Sequence, residues 1–167
     1  MPILARIWPG WSRHKTVVIP VPVSAWRPPH EPLCLEGTIF TPKRELHVTL
    51  IGRTLGRELR AAGLVRSPGL RDAFESQHWE YRRTGDGRWL RQTMDDGAQV
   101  QSLVELIEMP AMGALYRLLG AMLGRSLPTP PPHVTLYTAP RGLGIGVADR
   151  ATLARYTHRR WTPGRVR

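Results

Sequence analysis

Histidine gives and takes protons near neutral pH more readily than any other side chain. Two of the six histidines in this chain stand in identical surroundings. His47-Val48-Thr49-Leu50 and His133-Val134-Thr135-Leu136 are the same tetrad, roughly half of the 167-residue chain apart. Side chains alternate along an extended strand. His47 and Thr49 therefore share one face, and Leu46, Val48 and Leu50 share the other. The same holds for His133 and Thr135 against Val134 and Leu136. The apolar face can dock on helices, whereas the His/Thr face must look into something polar.

Opening a phosphodiester with water needs a base to take a proton and an acid to give one to the leaving oxygen. One neutral and one protonated imidazole make such a pair. The phosphoryl oxygens gain charge in the transition state and need preplaced donors. A threonine hydroxyl one pleat along from each histidine can supply them. Either tetrad alone reads as an ordinary half-buried strand. Repetition of all four residue types is what marks a motif.

The duplicated H-x-T-L pattern resembles the 2H phosphoesterase superfamily, which includes the bacterial RNA 2′,3′-cyclic phosphodiesterases, also called 2′-5′ RNA ligase-like proteins. The resemblance implies an α+β fold of two lobes. Two antiparallel sheets would surround a central cleft, with helices outside and a pseudo-two-fold axis relating the lobes. It further implies metal-free, cofactor-free catalysis by His47 and His133, with Thr49 and Thr135 holding phosphate. The expected partners are RNA ends or small nucleotide phosphodiesters. With a 2′,3′-cyclic phosphate, loss of the 3′ oxygen would leave a 2′-phosphate, and the reverse reaction would form a 2′-5′ bond. The match rests on the tetrads and on a compatible element order over residues 16–155. No subfamily signature accompanies it, so the substrate does not carry over. Symmetric motifs do not say which histidine is acid and which is base.

Other residues are weaker candidates. Tyr137 follows Thr135 by two and, by strict alternation, shares the inward face, where it can stack on a base or pack at the rim. Arg44, before the first tetrad, and Arg141, after the second, can reach phosphate or serve as plain surface charge. Trp79, Tyr81 and Trp89 lie on a predicted hairpin that can border the cleft, and aromatics there more often read as core or cross-strand residues. His14, His30, His78 and His158 belong to no paired pattern. No carboxylate stands at ligand spacing beside either tetrad, and Cys34 is the only cysteine, so neither a zinc site nor a disulfide is expected. Gly142-x-Gly144-x-Gly146 lacks the third-glycine spacing of a dinucleotide loop.

Lys and Arg number 24 against 13 acids, a formal net charge of +11, which favours polyanionic partners. Only Lys15 and Lys43 are lysines; arginine favours bidentate phosphate contacts. No apolar run is long enough to span a membrane, and Trp8, Pro9 and Arg13 interrupt any signal-peptide core, so a cytoplasmic location is expected, with no obligate protein partner. Besides the enzyme, two other readings fit these features. One is a non-catalytic RNA- or nucleotide-binding module on the same scaffold. The other is a basic adaptor whose tetrads are mere strands.

One domain over residues 1–167 is expected. Residues 1–15 read as a loose lead-in and 158–167 as a frayed basic tail. Strands are predicted at 16–23, 36–40, 46–51, 99–107 and 134–138. Thr84-Gly85-Asp86-Gly87 reads as the turn of a hairpin between 78–83 and 88–93. Helices are predicted at about 53–62, after Ser67-Pro68, from Pro110 to Leu123 with Gly124 ending it, and after Asp149. Residues 27–32 form a proline-rich loop, and the prolines of 128–132 deliver the chain extended into His133.

Overall fold

The structure is a computed structural model describing residues 7–26 and 31–163. The strands are β1 (Val17–Pro20), β2 (Leu33–Leu35), β3 (Thr38–Pro42), β4 (His47–Ile51), β5 (Arg82–Thr93), β6 (Gln99–Glu108), β7 (His133–Ala139) and β8 (Thr157–Trp161). The helices are α1 (Val23–Trp26), α2 (Arg53–Ala61), α3 (Pro68–Glu75), α4 (Pro110–Leu123) and α5 (Arg150–Tyr156). The architecture is α+β and every strand pairing is antiparallel. Where two sheets were expected, the strands join into one eight-stranded sheet in the order β1-β4-β7-β6-β5-β8. The β2–β3 hairpin attaches where β3 pairs with β7.

The two tetrad strands, β4 and β7, are direct neighbours in the middle of this sheet. Their apolar face is fully buried: Val48, Leu50 and Val134 are 0% exposed and belong to the main core. Burying such a side chain contributes roughly 1.5–3 kcal/mol. The same core takes Leu59 of α2, Leu70 and Phe74 of α3 and Met112 of α4. The Tyr116 hydroxyl donates to the Leu50 carbonyl at 3.0 Å and ties α4 to β4. Gly124, at φ 68, ends α4 in the left-handed conformation that glycine adopts without a Cβ penalty. A smaller cluster of Leu90, Val100, Val104, Ile145 and Val147 covers part of the opposite face.

Three further expectations are corrected. The first concerns residues 7–15, which are anchored. Trp8 packs edge-on against Phe74 at 5.3 Å, and the Trp11 indole N–H donates to the Val65 carbonyl. The Lys15 carbonyl lies so close to Gly56 that a Cβ there would stand 2.0 Å away. The remaining lead-in, residues 1–6, lies outside the described residues, as do 27–30 of the proline-rich loop and 164–167.

Second, 84–87 is not a hairpin turn. The ladder with β6 skips from Arg83 to Gly87, so Thr84, Gly85 and Asp86 form an irregularity inside one long strand. Buried Glu105 holds it, accepting from Arg83, the Gly85 N–H and the Trp26 indole. The chain reverses later, at Met94–Ala98. Third, residues 158–161, expected to be frayed, belong to β8 and pair with β5. Gly87 permits this close approach, because a Cβ would lie 2.1 Å from the Trp161 carbonyl oxygen.

Gly87→Ala is therefore expected to destabilise the protein by about 1–3 kcal/mol through forced displacement of β8. Urea unfolding measures this, and an unchanged midpoint would contradict the pairing.

Candidate active site

The β4–β7 ladder pairs Val48 with Val134. One step either way sets His47 against Thr135 and Thr49 against His133. Opposed residues point to the same side, so the four side chains form a square on the face opposite the main core. Each histidine faces the threonine of the other tetrad, with Cβ atoms about 4.5–5.5 Å apart, and the two histidines are diagonal neighbours at about 7–8 Å. All four are partly buried.

Burial pushes the His47 imidazole below its ordinary 6.5; Lys43 and the charge on His133 push the same way, and Glu45 opposes them. Burial also lowers His133, while a hydrogen bond to the Pro131 backbone opposes it. His133 Nδ1 lies 2.9 Å from the Pro131 carbonyl oxygen. A carbonyl only accepts, so Nδ1 carries the proton and Nε2 is left to meet a substrate. The extended prolines before β7 thus orient the ring as well as deliver it.

Two hollows lie at opposite ends of the β4–β7 pair. At the end shared by Thr49 and His133, a hollow of about 390 Å³ is lined largely by apolar groups, among them Leu55, Tyr116, Leu127, Pro130, Ile145 and Val147. At the other end, a hollow of about 280 Å³ is bordered by His47, Lys43, Arg44, Glu45, Thr138 and Arg141. Thr135 borders neither hollow. The 140–148 loop runs from one to the other, pinned by the Gly142 N–H on the Thr138 hydroxyl and by the Ile145 N–H on the Ser102 hydroxyl.

Of the residues singled out from sequence, His47, Thr49, His133 and Thr135 come together. Arg44 and Arg141 join His47 at the cationic hollow. Tyr137 does not join them. The β6–β7 ladder shifts between Val104–Thr135 and Leu103–Tyr137, and this extra residue turns Tyr137 to the main core against Trp161. The same bulge brings Thr138 to the hollow in its stead. Sequence reading missed Thr138 and Lys43. Strict alternation hid the threonine, and only the Lys43 N–H to the Leu136 carbonyl, 2.8 Å at the bulge, places the lysine. Trp79 and Trp89 are buried in the main core, as expected.

Among the described residues, no cluster of three or more His, Cys, Asp or Glu is arranged to hold a metal ion. No helix there is long and apolar enough to cross a membrane. No family model, curated protein or solved structure matches the chain.

The depressed imidazoles couple the site to stability. Between the folded values and the ordinary 6.5, the unfolded chain binds more protons, so stability rises with pH. The contribution is complete above 6.5 and is lost as pH falls through the folded values. The His47→Gln/His133→Gln double variant should therefore lose less stability than wild type between about pH 7 and pH 5. Urea midpoints across that range measure it, and parallel losses in the two proteins would contradict the burial of the pair.

Proposed function

We propose that this chain is a metal-independent phosphodiesterase of the 2H type, acting in the cytoplasm on nucleotide or RNA phosphodiesters such as 2′,3′-cyclic phosphates or 2′-5′ linkages. The observation that carries the reading is the diagonal placement of two imidazoles, each opposite a threonine hydroxyl, on one face of adjacent strands. That span suits a single phosphoryl group lodged between the rings. The local two-fold axis between Val48 and Val134 exchanges the tetrads, which fits the pseudo-symmetric lobes of that family.

The chemistry then runs as follows. One neutral imidazole takes a proton from water as the water oxygen attacks phosphorus. The other imidazole, protonated, gives its proton to the departing ribose oxygen as the P–O bond breaks. Thr49 and Thr135 donate to the phosphoryl oxygens as their charge grows. The apolar hollow beside His133 is of a size typical for small-molecule sites and can receive a nucleobase. The net charge of +11 draws anionic substrates toward the protein.

Oligonucleotides ending in a 2′,3′-cyclic phosphate and 2′-5′-linked oligonucleotides, offered in EDTA, test this directly. Turnover should persist with chelator and fall about 100- to 10,000-fold in His47→Ala and in His133→Ala. Binding without turnover on every substrate would instead favour the nucleotide-binding module. The pH profile is a second test. kcat/KM should be bell-shaped, because one ring must be neutral and the other charged. Both rings are held below 6.5, so its optimum should lie on the acid side of that value. A flat profile would count against paired imidazoles.

A further inference from the structure

The arginines of this protein are not all alike. Arg71, Arg82, Arg83, Arg88, Arg125 and Arg159 each meet a carboxylate. Lys43, Arg44 and Arg141 form no ion pair among the described residues, and neither do Arg53, Arg57 or Arg60; what sets the three apart is that they border one hollow of about 280 Å³ with His47. Glu45 is the single carboxylate bordering it and bonds to none of them. Three cations against one carboxylate leave the hollow net positive, and an anion seated among them relieves their mutual repulsion.

Two of the three are anchored through the backbone. Lys43 is fixed at the backbone by its N–H on the Leu136 carbonyl, 2.8 Å at the β7 bulge. Arg141 is held beside Gly142, whose N–H donates to the Thr138 hydroxyl at 3.0 Å. Both anchors come from β7, the strand that carries His133.

The hollow's place along the strands matters as much as its charge. The apolar hollow lies past Thr49 and His133, the cationic hollow past His47, and the His/Thr square lies between them. A phosphodiester centred on the square with its nucleoside in the apolar hollow extends its other substituent into the cationic one. A 2′,3′-cyclic mononucleotide has no such substituent, because both ester oxygens belong to one ribose.

We propose that the cationic hollow of Lys43, Arg44 and Arg141 is a second-phosphate site, and that the substrate is a linear oligonucleotide phosphodiester carrying a further phosphate beyond the scissile one. This rests on the phosphodiesterase reading above and narrows it. The nucleoside on the His133 side supplies the base contact. The nucleotide on the His47 side supplies the extra anion, which the three side chains hold through charge-assisted hydrogen bonds.

The test compares a 2′-5′-linked diadenosine monophosphate with the same dinucleotide bearing a terminal phosphate on the nucleoside that donates its 5′ oxygen to the linkage. The terminal phosphate should raise kcat/KM by about tenfold or more. The Lys43→Gln/Arg141→Gln variant should bring that ratio close to one. Turnover of both substrates with equal kcat/KM in the wild type would overturn the proposal and leave the phosphodiesterase reading intact. Pyrophosphate binding, measured by calorimetry at low salt, keeps the question decidable if neither dinucleotide is cleaved. Binding by wild type that is lost in the double variant would support the anion site while counting against phosphodiester cleavage. No binding by wild type would overturn the site. Unfolding midpoints of the variant, unchanged from wild type, show that a lost ratio reflects the charges removed and not the fold.

Discussion

The pairing of Val48 with Val134 is the constraint on which the arrangement of this protein depends. Side chains alternate with period two, so slipping that ladder by one residue would turn one tetrad over. Its histidine and threonine would enter the core and its valine would face outward. The main core resists such a slip, because Val48, Leu50 and Val134 are wholly enclosed beneath the helices. Tyr116 adds a directional lock by donating to the Leu50 carbonyl one residue beyond Thr49. The polar square is thus held in place by apolar packing on the other side of the same two strands. The chemistry-bearing face needs few bonds of its own, which leaves its donors and acceptors available.

Much of this was legible in the sequence because it is local. The duplicated tetrad, the Pro110 start and Gly124 stop of α4, and the Asp149 side chain that accepts the Thr152 N–H at 2.6 Å all act within a few residues of chain. What was illegible depends on partners far away. Thr84-Gly85-Asp86-Gly87 carries ordinary turn chemistry, yet Glu105 accepts from Arg83 and the Gly85 N–H and turns the segment into an irregularity within a strand. Residues 157–161 look like a polar tail in isolation. They become a strand because Gly87 lets Trp161 approach and because Arg159 stacks over Trp89 at 4.7 Å. Trp8 and Trp11 lie in what reads as a loose lead-in, and their docking on Phe74 and on the Val65 carbonyl could not be read from a segment rich in Pro, Gly and charge.

The candidate site shows the same division. Its four principal residues follow from alternation and repetition alone. Its rim does not, because a single extra residue in β7 exchanges Tyr137 for Thr138 at the hollow. A bulge has no dependable sequence signature of its own; it is the outcome of competition between ladder hydrogen bonds and side-chain packing. Here the aromatic ring gains the apolar contact with Trp161. The smaller hydroxyl takes the polar position and accepts the Gly142 N–H.

Identical tetrads do not yield identical histidines. The residues before His133 are prolines, and the carbonyl two positions back accepts from its Nδ1. The residues before His47 are Glu45 and Leu46, and the His47 ring makes no hydrogen bond among the described residues. Its neighbours act through charge: Lys43 disfavours its protonated form and Glu45 favours it. The consequence for His133 is definite. With Nδ1–H committed to Pro131, the ring accepts through the Nε2 lone pair when neutral and donates through Nε2–H when charged, so a proton is taken or given at the same atom. His47 has no such fixed tautomer, and burial together with Lys43 favours the neutral ring. The two-fold symmetry of the motif is therefore broken by what precedes each strand, and the square presents two chemically different ends.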